Sequence, residues 1–148
     1  MKENVLTERI CLETKGAYDM IDITHHATKL IADRHLKNGL LNLFVEHTTC
    51  ALAINEFTDP KLLNDFRKKL SEFSPEDAQY EHNESHVCNG DDCVNGHSHC
   101  NALFLPTSIT CQIVNGKLNL GTWQRIFLIE LDRARPRNVQ LMFMGEGN

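Results

Sequence analysis

The residue pattern predicts an α+β fold: a β-sandwich core with about two helices packed outside it, in a single domain spanning 1–148. Three observations carry this reading. Apolar stretches of strand length, several of them alternating with polar residues, recur along most of the chain. Only two segments place apolar residues at helical spacing. The chain's 148 residues, 41% hydrophobic and 24% charged, suffice to bury one core without a disulfide framework.

Residues 5–14 read as a strand through Val5, Ile10 and Leu12, broken at Gly16. A helix is expected from Asp22 or Thr24 to about Lys37, with Ala27, Leu30 and Ile31 as its apolar stripe and Gly39 as its C-terminal cap. Leu41, Leu43 and Val45 alternate with polar or outward positions in a strand over 40–46, and 51–55 is a second strand. Asp59-Pro60 opens the clearest helix: Asp59 caps it, and Pro60 needs no amide hydrogen at the first helical position. Leu62, Leu63, Phe66, Leu70 and Phe73 form its stripe, and Ser74-Pro75 ends it. Residues 76–96 read as a long polar loop, with strands from Ser98 onward. Asn115-Gly116, between 111–114 and 117–120, predicts a type I′ hairpin. Strands over 123–131 and 139–144 follow, joined by a basic turn around Pro136.

The charge is uneven. No Lys or Arg occurs from Leu70 to Gly116, where seven acids (Glu72, Glu76, Asp77, Glu81, Glu84, Asp91, Asp92) stand with His82, His86, His97 and His99. That stretch suits either a bound divalent cation or a solvated acidic loop. The overall charge of −5 argues against a general nucleic-acid binder. No apolar run approaches membrane-span length, and residues 1–4 do not lead into an apolar signal core. The expectation is therefore a cytoplasmic protein with reduced thiols at Cys11, Cys50, Cys88, Cys93, Cys100 and Cys111, none of them in a Cys-x-x-Cys pair. Cys88 and Cys93 are loosely spaced candidate metal ligands.

The candidate chemistry lies in four places. In an extended segment His97 and His99 would project to one face and share a metal, or they are surface histidines at a loop-to-strand transition. His47, followed by Thr48 and Thr49, leaves an apolar strand where a side chain reaches a cleft edge. Asn55 and Glu56 end the next strand, where Glu56 would orient a ligand imidazole or act as general base, or simply precede the helix cap. Gly121-Thr122-Trp123-Gln124 offers an amide, a hydroxyl and an indole to a substrate, or forms a hairpin bend around a core tryptophan. Arg133, Arg135 and Arg137 would grip a phosphate or sit in a solvated hairpin tip, the second being the expectation here.

Three of these stretches resemble the YjbQ family, often described as secondary thiamine-phosphate synthases: His-Thr-Thr-Cys-Ala-Leu-Ala-Ile-Asn-Glu at 47–56, Asn-Gly-His-Ser-His at 95–99 and Leu-Gly-Thr-Trp-Gln at 120–124. They occur in order and at family spacing over nearly the whole chain. The resemblance implies a small homotrimer with a jelly-roll-like sandwich and a histidine cluster able to hold a divalent metal, zinc or a similar ion. It carries ligand roles to His47, His97 and His99. Site roles pass to Thr48, Thr49, Asn55, Glu56, Thr122, Trp123 and Gln124. His82 matches the family's upstream histidine and Asp92 its loop carboxylate, while Cys88, Cys93 and Cys100 depart from the pattern. The implied activity joins a pyrimidine diphosphate to a thiazole phosphate with loss of pyrophosphate. The expectation is a metal-binding enzyme for a small phosphorylated metabolite, with no nucleic acid and no membrane. The alternative is a trimeric metal- or small-ligand-binding protein without turnover. Either way, the ligand-bearing segments are spread widely enough that a pocket near a subunit boundary is expected.

Overall fold

In the computed structural model, which describes residues 3–85, 87 and 94–147, eight strands and three α-helices follow in the order β1 Glu3–Glu13, β2 Met20–Asp22, α1 Thr24–Asp33, β3 Leu36–Val45, β4 Cys50–Glu56, α2 Pro60–Phe73, α3 Gly96–Leu103, β5 Ser108–Val114, β6 Lys117–Leu118, β7 Gln124–Glu130 and β8 Pro136–Gly147. A single 3-10 turn, Glu81–Glu84, precedes α3. Among the described residues no helix is long and apolar enough to cross a membrane.

All pairing is antiparallel. One sheet has the order β1-β8-β3-β5-β6 and the other β2-β7-β4. The main core lies between them. Leu41, Leu43 and Val45 from β3 and Val139, Leu141 and Phe143 from β8 meet Leu52, Ile126 and Leu128 from the smaller sheet, and α1 closes one side with Ala27, Leu30 and Ile31. The opposite parity of β4 and β7 turns Ala51, Phe127 and Ile129 outward, where α2 covers them with Leu63, Phe66 and Leu70. The molecule is thus a sandwich with α2 as a third layer.

The Asp59 cap, Pro60 and the Ser74 stop stand where the sequence puts them, Asp59 Oδ1 accepting from the Lys61 N–H at 2.9 Å. The hairpin is type I′, with φ 50 at Asn115 and 74 at Gly116. Two expectations fail. First, α1 ends at Asp33, and His35 takes the left-handed conformation (φ 50) that the sequence reading gave to Gly39. Gly39 instead lies inside β3, directly opposite Gly145 on β8. The Phe143 ring fills the space above both. A Cβ on Gly39 would collide with the Met144 carbonyl oxygen and approach Phe143 Cε2 to 2.7 Å, while one on Gly145 would reach Phe143 Cζ at 2.9 Å. Second, residues 96–103 are helical, not extended. His86, Cys88, Asp91, Asp92 and Cys93 lie outside the described residues.

Because Phe143 is fully buried beneath the paired glycines, Gly39→Ala is expected to lower stability by about 1–3 kcal/mol through overpacking. Denaturant unfolding of the variant beside Ala32→Gly, an exposed change in α1, checks that the loss belongs to this contact.

Candidate functional site

Three chain connections converge at one end of the sandwich: the segment after β1, the β3–β4 link 46–49, and the β7–β8 link 131–135. They are tied together by a buried ion pair. The Arg137 guanidinium donates two bonds to the Glu130 carboxylate, through Nε at 2.6 Å and through Nη2. Nη2 also donates to the Thr49 carbonyl at 3.1 Å and its Oγ1 at 2.9 Å. Glu130 further accepts from Thr14 Oγ1 and from the backbone N–H groups of Leu131 and Asp132. Burial alone would lower the Arg137 pKa, but the Glu130 hydrogen bonds and charge raise it above the ordinary arginine value. The expectation of a solvated arginine tip therefore fails for Arg137. Its side chain follows the inward parity of Val139, Leu141 and Phe143.

Arg133 and Arg135 lie at the rim. Both donate to Asp132, Arg133 Nε at 3.2 Å and Arg135 Nη2 at 2.9 Å, and Asp132 also accepts from Asn95 Nδ2 at 3.2 Å. His47 stands beside them. Its Nε2 accepts the Asn138 N–H at 2.8 Å, so the neutral ring carries its proton on Nδ1. Burial, reinforced by the Arg137 charge, lowers its pKa.

On the other side of His47, α3 presents the second histidine motif. Gly96 permits the approach of Tyr80, whose Cβ would stand 2.5 Å from an added Cβ. In a helix, side chains two apart diverge by about 200°, so His97 and His99 do not share a face. His97 points inward. Ser98 Oγ donates to the Leu131 carbonyl at 2.6 Å and accepts from His97 Nε2 at 3.0 Å, which leaves His97 Nδ1 buried without a partner. His99 faces outward, its ring edge-on to His82 at 4.8 Å between centroids. Burial and then the neighbouring His82 lower the His99 pKa.

Two cavities meet at His47. One, of about 620 Å³, runs between His47, Thr48 and Phe44 on one side and His99, Ala102 and Leu103 on the other. The second, of about 440 Å³, is edged by His47, Arg133, Ala134, Arg135 and Pro136. The structure thus brings together His47, Thr48 and His99, with Thr49 buried behind them in the Arg137 network. It does not bring the remaining candidates here. Asn55, Glu56 and Gln124 lie at the far end of the β4–β7 ladder, where Glu56 pairs with Gln124 while Cys50 pairs with Glu130. At ~3.4 Å per residue that separation is roughly 20 Å. Thr122 and Trp123 precede β7 at that same far end, and Trp123 is 65% exposed, not a core residue. Sequence reading missed Glu130, Asp132, Asn138 and Thr14. The available signal was parity: a charged residue extending an apolar run at 126–129, and an arginine in step with Val139, Leu141 and Phe143.

The model of the UPF0047 protein YjbQ-like family matches residues 8–146. A UPF0047 protein of Methanothermobacter thermautotrophicus is 37% identical over 142 residues, 96% of this chain and 94% of that protein. The crystal structure of a YbjQ-like protein of unknown function from Sulfolobus solfataricus superposes with a TM-score of 0.89 at 32% identity, covering 98% of this chain and 100% of that one. A hypothetical protein of Aeropyrum pernix gives 0.86 at 32% identity, over 95% and 99% of the two chains.

Two outcomes follow for this end of the molecule. Glu130→Ala or Arg137→Ala alone, each leaving a buried charge unpaired, should cost about 3–5 kcal/mol, whereas the double change to Met should recover much of the loss. A chemical-denaturation cycle measures this, and additive single losses would contradict it. For His47 and His99, whose pKa values lie below the ordinary ~6.5, the unfolded chain binds protons that the folded chain does not just below that value. Their part of the stability is fully present above ~6.5 and falls as pH drops toward their lowered values. Melting curves between pH 7.5 and 5 should show this slope, flattened in His99→Gln.

Proposed function

The chain belongs to the YjbQ-like UPF0047 family, and on that premise we propose that it is an enzyme acting on a small phosphorylated metabolite at the His47 end. The observation carrying this reading is that His47 forms the common wall of two cavities, one edged by Arg133 and Arg135 and the other by His99. Guanidinium forks match phosphate oxygens in bidentate geometry. Asp132 accepts from both arginines and fixes them at the edge of that cavity. Neutral His47, with its proton on Nδ1, can donate to a departing phosphate oxygen. The apolar side of the larger cavity, formed by Val45, Ala102 and Leu103, suits a heterocyclic body. Thiamine-phosphate synthesis fits this outline as a secondary activity, because both reactants carry phosphate and cations favour loss of pyrophosphate.

A bound divalent metal, zinc or a similar ion, is a second reading. The bare, buried Nδ1 of His97 favours it, and His82 and His99 offer further imidazoles nearby. When bound, such an ion would polarise a phosphate oxygen or activate water. The fit is incomplete: among the described residues no three His, Cys, Asp or Glu side chains converge, and His47 Nε2 is committed to Asn138. Glu56, at the far end of β4, stands roughly 20 Å along the strand from the His47 end, out of reach as a base there within one subunit.

Assembly enters the same proposal. The outer face of the larger sheet exposes Val5, Leu40, Phe44, Met142 and Met144. Cross-strand register puts Val5, Met144 and Leu40 in one row. A homotrimer would cover this face. Phe44 also lines the larger cavity, so the substrate would lie near the subunit boundary.

Calorimetric titration of the full chain with pyrophosphate, in metal-free low-salt buffer, is expected to show saturable binding that Arg135→Gln weakens about tenfold. Binding that ignores Arg133→Gln and Arg135→Gln, or that appears only once zinc is added, would replace this reading with the metal one. Formation of thiamine phosphate from the two phosphorylated halves separates an enzyme from a ligand-binding protein without turnover.

A further inference from the structure

A third cavity lies between α2 and the outer face of the smaller sheet. Leu63 is the one buried residue among the 14 of α2, while Phe66 and Leu70 pack against the sheet only in part. The reason is on β4: its outward position 53 carries an alanine, and the space that a larger side chain would fill stays open. The resulting slot holds about 210 Å³. Ala53, Phe127 and Ile129 form its floor, and Phe66, Leu70 and Leu105 its roof and end.

Polarity changes along the slot in a regular way. Cross-strand partners share a face of the sheet. Reading outward, those pairs are Ala51 with Ile129, Ala53 with Phe127, and Asn55 with Arg125. The first two pairs are apolar. The third sets the Asn55 amide at the mouth, with Arg125 beside it on the same face of the sheet. Lys69 of α2 lines the same mouth, its ammonium held at 2.7 Å from Glu72 one turn on. Arg125 donates to the Gln124 carbonyl at 2.9 Å, which leaves donors for another acceptor. Glu56 has the opposite strand parity and turns to the other face.

We propose that this slot binds a small carboxylate with an apolar tail of about eight carbons, the tail between Ala53, Phe66 and Phe127 and the head group at Asn55, Arg125 and Lys69. The size follows from the volume: an apolar cavity of about 150 Å³ holds a six-carbon ring, and this one is somewhat larger. The charge follows from the mouth, which offers cations and an amide donor. The site is separate from the His47 cavities and does not depend on the function proposed for them.

The test uses the full-length chain, methyl-labelled, titrated with octanoate, octanol and butyrate as probes. Octanoate is expected to shift the methyl signals of Ala53, Leu70, Leu105 and Ile129 saturably. Octanol, with the same tail and no charge, should bind about threefold or more weakly, as should octanoate to Arg125→Gln, in keeping with a half-exposed charge pair. Butyrate should give no saturable shift. Ala53→Leu fills the slot and should weaken octanoate at least tenfold, and Leu70→Trp, which plugs it from the helix side, does the same if Ala53→Leu fails to fold. The proposal is overturned if octanoate gives no saturable shift at about 10 mM, if octanol binds equally well, or if the shifts appear around His47 and His99 instead. A change from one oligomeric state to another on filling the slot would also overturn it, by showing that the occupant is a second copy of the chain.

Discussion

The pairing of Arg137 with Glu130 is the interaction on which the rest of the structure depends. Both side chains are essentially withdrawn from water, and burying two charges is favourable only when every remaining donor and acceptor finds a partner. Here both Glu130 oxygens and the Nε and Nη2 groups of Arg137 are partnered, with Thr49, Thr14 and the backbone of residues 131 and 132 contributing. The consequence is geometric. The pair links the last residue of β7 to the second residue of β8 and, through Thr49, to the start of β4 in the smaller sheet. One charged contact therefore registers both sheets at the end where the connections converge, and it holds the links carrying His47, Arg133 and Arg135 against a rigid support.

That arrangement separates satisfied from unsatisfied polar groups. In the Arg137 network both Glu130 oxygens accept hydrogen bonds. Beside it, His97 Nδ1 on α3 and Asn95 Oδ1 just before it are buried with no partner, while the buried Asn101 amide faces the Tyr18 hydroxyl. Buried polar atoms without a partner are costly. They lie on the inward side of α3, opposite the face that His99 and Leu103 present to the larger cavity.

Local chemistry was legible wherever one residue type dictates the backbone. Asp59-Pro60 and Asn115-Gly116 were readable because capping and a left-handed turn need nothing beyond their neighbours. The alternation of β3 was readable for the same reason. Gly39 was misread because the same residue serves a helix stop and a crowded strand, and only the Phe143 ring, more than a hundred residues away, selects between them. The His97-Ser98-His99 motif reads as extended in the sequence and is helical in the structure. Two histidines with no apolar repeat around them carry no period of their own, and it is the fit of Gly96 against Tyr80 and the Ser98 bond to Leu131 that commit the segment to a helix. Arg137 was placed in solvent because a cluster of arginines beside a proline reads as a turn. Strand parity with Val139 argued the other way.

The split of the motif residues between two ends of one strand pair follows from the same alternation. β4 is continuous from Cys50 to Glu56, and its inward residues Leu52 and Ile54 belong to the shared core. A strand so anchored cannot bend to bring Glu56 back toward His47, so within a single subunit the two halves of the 47–56 segment address different surfaces. Nearness in sequence suggested one site; a rigid strand makes it two. The end with the buried ion pair gains orientation from a fixed charge network, while the face beneath α2 gains volume from the small side chain of Ala53. These are different physical means of making a cavity, and neither requires the other.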